Sequence, residues 1–247
     1  MKILGISCFY HDSGIALIED GEILFAAQEE RFSRIKHDAS FPYKSIEKML
    51  KELNLKREEI DVCVFYEKPL LKFDRLLSTY MYIAPKGFKS FSIAIPEWVR
   101  EKLFFRNSLK KHLKKSLGKQ ITKNIYFSEH HYSHAASAYY PSPFKEATVL
   151  TVDGVGEWAT TTIGYGNNGD LNLLREIHFP HSLGLLYSAF TQYCGFRVNS
   201  GEYKLMGLAP YGKPVYKNVI LENLITKNKD KSFELNLDYF NFLGGFE

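Results

Sequence analysis

Twice along this chain a run of apolar residues ends in a turn made of aspartate and glycine, and a second and third strand follow. No other feature restricts the fold as much. The first instance opens the sequence: Lys2 to Cys8 reads as a buried strand, His11-Asp12-Ser13-Gly14 as a tight turn and Ile15 to Ile18 as a strand. Asp20-Gly21 reads as a hairpin turn and Glu22 to Ala27 as a third strand. The second begins at Ala147. A strand to Val152 meets Asp153-Gly154-Val155-Gly156, and Trp158 to Tyr165 returns. Asn167-Asn168-Gly169-Asp170 then turns the chain into Leu171 to Ile177. Asp-Gly between such runs is a strong local hairpin signal, because both turn residues must take positive φ. Tyr43 to Leu53 has Ile46, Met49, Leu50 and Leu53 on one stripe of a helix, and Asp61 to Tyr66 is again a strand. The order β-β-β-α-β is an α/β pattern.

Elsewhere the pattern is less regular. Glu29 to Asp38 reads as a polar loop. Residues 68–123 read as an aromatic and basic insertion, helical over Leu70 to Met81 and Glu97 to Leu117, with Pro85-Lys86-Gly87 and Pro96 as separators. Asn124 to Phe127 is a strand. His130 to Tyr140 is a helix stopped by Pro141 and Pro143, and Leu183 to Cys194 is another. Ser200 to Gly212 is a glycine-punctuated loop around a short helix.

The candidate chemistry lies between the strand at Asn124 and the turn at Asp153. His130 and His134 are four apart, so a helix stacks them on one face, a spacing that suits a divalent metal. Asp153 offers an oxygen ligand. Gly154 and Gly156 offer close access to bare backbone N–H groups, which suit a phosphate. His131 points off the shared face. On spacing alone, the pair also fits an incidental arrangement and Asp153-Gly154 a plain turn.

Composition sets limits. At 247 residues, with 45% hydrophobic and 24% charged residues, the chain suits one large or two small globular domains. From Lys86 to Lys123 eleven Lys and Arg stand against Glu97 and Glu101. That stretch fits either a solvated basic helix or a face for an anionic partner. Cys8, Cys63 and Cys194 are far apart and odd in number, which suits a reducing cytoplasm rather than a disulfide framework. No apolar run approaches the ~18 residues of a membrane span.

Two hairpin turns that each carry an aspartate resemble the phosphate turns of the actin/hexokinase/Hsp70-like (ASKHA) ATPase fold. Within that fold the chain resembles the NodU/CmcH-type carbamoyltransferase family. The resemblance is carried by Gly5 to Leu17, Glu29 to His37, His130 to Ala135, Asp153 to Trp158 and Ser200 to Gly212, in family order over nearly the whole chain. It implies the first lobe and the start of the second, with residues 1–247 forming the N-terminal part of the ATPase-fold domain. The remainder of the second lobe, a fourth, acidic metal ligand and a YrdC-like domain are expected beyond Glu247. It implies an O-carbamoyltransferase that moves a carbamoyl group from carbamoyladenylate, made from carbamoyl phosphate and ATP, to a hydroxyl of a small-molecule acceptor. His130, His134 and Asp153 are then metal ligands for Fe(2+) or another divalent metal. His11 and Lys36 match the transfer site, and Asp12, Gly154, Gly156 and Glu157 lie on the nucleotide side.

The chemistry of such a transfer fits these residue types. A carbamoyl adenylate already carries a good leaving group, so the protein must position it, neutralise growing charge and accept a proton from an alcohol. His11 suits proton transfer or oxyanion donation, and Lys36 supplies a point charge for phosphate. A cytoplasmic protein is expected, with no membrane or nucleic-acid partner and with a homo-oligomer or a separate chain supplying what is missing. Two alternatives remain: a tRNA threonylcarbamoyl-transferase-like protein, whose basic stretch would face nucleic acid, and an inactive interaction module of the same fold.

Overall fold

A computed structural model describes residues 1–99 and 104–243, apart from the side chains of residues 89, 90, 94, 97 and 98. The chain forms two compact units. The first comprises Met1–Leu70 and Trp98–Glu129, the second Leu71–Glu97 and His130–Glu247.

The first unit is built on a five-stranded sheet of order β3-β2-β1-β4-β5. Its strands are β1 (Lys2–Ser7), β2 (Gly14–Glu19), β3 (Glu22–Gln28), β4 (Val62–Phe65) and β5 (Ile125–Phe127). β1, β2 and β3 form an antiparallel meander, whereas β4 pairs parallel with β1 and β5 parallel with β4. The hairpin between β2 and β3 turns on Asp20 at φ 48° and Gly21 at φ 93°, the two positive values that a tight primed turn requires.

Alternation along β1 sends Leu4 and Ile6 inward, where they meet Leu17, Cys63 and Phe65. Helix α2 (Tyr43–Glu52) adds Ile46 and Met49 to this core. The carboxylate of Glu29, itself buried, caps that helix. It accepts the N–H groups of Lys44 and Ser45 at 2.9 and 2.7 Å and the Ser45 hydroxyl at 2.6 Å. Glu29 thus satisfies donors that the helix start would otherwise leave orphaned. The expected polar loop after it contains one short helix, α1 (Glu30–Ser33), ended by Arg34 in the left-handed conformation.

Residues 68–123, read as a helical insertion, are divided between the two units. Their first part forms α3 (Pro69–Ile83) and α4 (Phe88–Trp98), and 71–97 groups with the second unit. Pro96, read as a separator, lies inside α4. A proline removes one backbone hydrogen bond, and Pro96 stands in the last turn of α4, two residues before Trp98. Of the helix expected over 97–117, the structure places α5 at Phe105–Leu117, while 100–103 lie outside the described residues. Phe105, Leu109, Leu113 and Leu117 recur every fourth residue and are buried in the first core. The lysines between them occupy the other faces, as on any amphipathic helix.

The second unit contains an antiparallel sheet of β6 (Glu146–Val152), β7 (Ala159–Asn167) and β8 (Asp170–His178), in that order. The β7–β8 turn repeats the first hairpin's device, with Asn168 at φ 47° and Gly169 at φ 94°. Helix α6 (His130–Tyr139) packs on this sheet through Ala135 and Tyr139, which meet Val149 and Leu171. Gly166 admits the Tyr139 ring, whose Cε2 would stand 2.4 Å from any added Cβ. The unit continues through α7 (Leu183–Tyr193), α8 (Glu202–Leu208), α9 (Lys217–Asn223) and the hairpin of β9 (Ile225–Lys227) with β10 (Phe233–Leu235). Among the described residues, no helix is long and apolar enough to cross a membrane.

Candidate metal and transfer site

In the second unit, the first turn of α6 meets the end of β6. His130 Nε2 lies 2.6 Å from Asp153 Oδ2 and 3.0 Å from His134 Nε2, and His134 Nε2 lies 3.6 Å from the same carboxylate oxygen. Ligands ~2.0–2.1 Å from a tetrahedral metal are ~3.3 Å apart along each edge. The three separations straddle that value, and two imidazoles with one carboxylate are a common donor set for a divalent ion. The residues therefore fit the metal that the sequence implies. Burial alone would raise the Asp153 carboxyl. Hydrogen bonds with His130 and His134 outweigh it, with help from the Gly154 N–H, and hold the group far below the usual carboxylate range.

Three residues that the sequence reading passed over hold this arrangement. Ser182, fully buried, caps α7 by accepting the Leu185 N–H at 3.0 Å. Its hydroxyl faces the carbonyls of Asp153 and Gly154 at 3.0 and 2.7 Å. A Cβ on Gly184 would stand 2.4 Å from the Asp153 carbonyl oxygen, so α7 can approach the turn only with glycine there. Arg75 donates to the Gly156 carbonyl at 3.0 Å. Ser-x-Gly ahead of an apolar helix was visible as an N-cap signal, but nothing local linked it to Asp153.

The turn differs from the phosphate cradle anticipated for it. The Gly154 N–H donates to Asp153 Oδ1 at 2.6 Å, and the Gly156 N–H donates to the Ala159 carbonyl at 2.9 Å. Neither is a bare donor. Gly156 supplies space instead: an added Cβ would lie 3.0 Å from His131 Cδ2 and 3.1 Å from two atoms of His130. Glu157, expected near a phosphate, is buried, and its carboxylate accepts the His130 N–H at 3.1 and 3.0 Å. It caps α6 as Glu29 caps α2, and so fixes the helix start that carries the histidines. His131 faces the sheet, with Nδ1 2.6 Å from the Thr151 hydroxyl, which lies 2.7 Å from that of Thr162. Burial, with the neighbouring His130, lowers the His131 pKa.

In the first unit, His11 and Asp12 stand in the turn between β1 and β2. His11 Nδ1 lies 3.0 Å from Asp12 Oδ2, and His37 Nδ1 lies 2.9 Å from Asp12 Oδ1. Asp12, expected on the nucleotide side, is thus engaged by two imidazoles. Glu30 joins them: its carboxylate accepts the His37 N–H at 3.0 Å, and ligand atoms of Asp12, Glu30 and His37 lie within 4.8 Å of one another. Lys36 is exposed beside His37.

A family model described as the carbamoyltransferase N-terminus matches residues 2–247. The chain belongs to the carbamoyltransferase family, as its N-terminal part. It is 57% identical over 246 residues to an uncharacterized protein of Synechocystis sp., covering 98% of this chain and 40% of that protein. It is 31% identical over 234 residues to nodulation protein NolNO of Sinorhizobium fredii, covering 93% of this chain and 32% of that protein. The chain thus spans well under half the length of these relatives. Among solved structures, the Aquifex aeolicus Ppx/GppA phosphatase matches with a TM-score of 0.35 at 14% identity, over 87% of this chain and 65% of that one.

Proposed function

We propose that this chain is the transferring part of an O-carbamoyltransferase with an actin/hexokinase/Hsp70-like ATPase fold. It moves a carbamoyl group from carbamoyladenylate to the hydroxyl of a small-molecule acceptor. The observation that carries this reading is the convergence of His130, His134 and Asp153 in a chain that a carbamoyltransferase model matches end to end. The spacing of the two hairpins supports the ATPase-type fold, since each unit opens a sheet on a strand, an aspartate turn and a returning strand.

His130, His134 and Asp153 hold a divalent cation, with Fe(2+) the first choice. Such an ion supplies Lewis acidity for a phosphate or carbonyl oxygen. Asp153, kept ionised by its histidine partners, offers the anionic ligand. Glu157 and Ser182 keep α6 and the turn in register, so that the imidazoles need little reorganisation on binding. In the first unit, His11 accepts the proton of the acceptor hydroxyl and Lys36 offsets phosphate charge. The formation of carbamoyladenylate from carbamoyl phosphate and ATP is a separate step that is not assigned to these residues.

The test is equilibrium binding of Fe(2+) or Mn(2+) and of a non-hydrolysable carbamoyladenylate analogue, each measured with wild-type chain and with His134→Ala. Metal affinity lost in the variant supports the reading. Metal affinity retained in full contradicts it. A stably folded chain with neither affinity points to an inactive interaction module.

A further inference from the structure

Asp12 contacts two imidazoles through different oxygens, and only His11 was expected in the transfer site. His37 reaches Asp12 from the loop after β3. That loop is tied to the first turn by the Ser13 N–H donating to the Asp38 carbonyl at 2.8 Å and the Phe9 N–H donating to the Ala39 carbonyl at 2.7 Å. Glu30 holds the His37 backbone from the other side. Lys36 immediately precedes His37, so the Asp12–His37 contact couples the Lys36 loop to the His11 turn.

An ionised carboxylate only accepts hydrogen bonds. A neutral imidazole facing it through Nδ1 therefore carries its proton there, and its lone pair stays on Nε2. Burial works against ionisation of Asp12, but hydrogen bonds with His37 and His11 outweigh it, and its carboxyl lies below the usual range.

We propose that Asp12 is a positioning residue that fixes both His11 and His37 in the Nδ1–H form, leaving each with Nε2 as a proton acceptor. The consequence for catalysis rests on the carbamoyl-transfer reading. The acceptor oxygen bonds to the carbamoyl carbon, the carbon–oxygen bond to the adenylate phosphate breaks, and AMP leaves with the electron pair. The hydroxyl proton passes to His11 Nε2. With the opposite tautomer, that nitrogen would already carry a proton and accept nothing. His37 holds the loop that places Lys36, and its Nε2 is a second acceptor of the same kind.

Long-range proton–nitrogen correlation of the intact chain, labelled with ¹⁵N-histidine and held at about pH 8, above the ordinary imidazole range, reads the tautomer of each ring. His11→Gln and His37→Gln assign the two signals. Both rings are expected in the Nδ1–H form. Asp12→Asn keeps the side chain's shape, and asparagine tolerates the φ of 45° found there. Its single amide oxygen cannot accept from both rings through separate oxygens, so at least one ring should lose the Nδ1–H pattern. Unchanged tautomers in Asp12→Asn, or Nε2–H rings in the wild type, overturn the proposal. The readout does not depend on turnover: wild-type chain with both expected tautomers supports the positioning role. Absence of carbamoyl transfer counts against the proposed function alone.

Discussion

His130 Nε2 and Asp153 Oδ2 lie 2.6 Å apart across 23 residues of sequence, joining the first turn of a helix to the end of a strand. Neither residue holds the other unaided. Glu157 secures the helix start from one side, and Ser182 and Gly184 secure the aspartate turn from the other. The donor set is therefore sensitive to substitutions at residues that supply no ligand.

Gly184→Ala would place a methyl group 2.4 Å from the Asp153 carbonyl oxygen and 2.6 Å from the Gly154 nitrogen, both backbone atoms that cannot swing aside. A loss of roughly 2–3 kcal/mol is expected from overpacking, together with weakened metal binding. Ser182→Ala removes a helix cap and should cost about 1–2 kcal/mol. Urea unfolding and metal titration of each variant check both effects.

The paired hairpins and the pairing of His130 with His134 were legible because their signals are local. Asp20-Gly21 and Asn168-Gly169 announce their turns, and His130 and His134 are placed by helical spacing alone. The supports were not legible. His37, Ser182 and Gly184 act on partners that only the folded chain brings near. Glu157 beside a glycine turn reads equally well as a phosphate neighbour or as a cap. The stripe that buries α5, Phe105, Leu109, Leu113 and Leu117, was also displayed in the sequence, interleaved with the basic residues of that stretch.

That stripe gives a direct test of whether α5 is core. Leu109 is fully buried, so Leu109→Ala should destabilise the chain by about 2–5 kcal/mol. Lys111→Ala, on the exposed face, should change stability by less than about 0.5 kcal/mol. Comparable small effects from both would mean that the helix is peripheral.

Cysteine reactivity reports on the same core. Cys8 and Cys63 are buried and Cys194 is exposed. Burial pushes the Cys63 thiol up to about 12 and raises Cys8 as well. Because the thiolate is the reactive form, an aromatic disulfide reagent should modify one thiol quickly in native protein and all three after unfolding. Rapid reaction of more than one native thiol would contradict the packing of the first sheet.

Acid sensitivity should localise to the loop that carries Lys36 and His37. Hydrogen bonds with Ser33 and Ser40 hold the Asp38 carboxyl below its ordinary range. The unfolded chain then binds the proton more readily, so the stabilisation is present above the unfolded value of about 3.9 and is lost as pH falls toward the folded one. Asp38→Asn should be less stable than wild type at neutral pH, with the gap closing below about pH 4. Urea unfolding of both proteins across that range is the check.

His130, His134 and Asp153 are proposed to hold a divalent metal. Elemental analysis of the chain after anaerobic purification and incubation with Fe(2+), beside a His130→Ala, His134→Ala double variant, tests this most directly. About one metal ion per wild-type chain is expected, with at least about a tenfold reduction in the variant, since two ligands are removed. Equal metal content in the two proteins, or none in either, would contradict the proposed site.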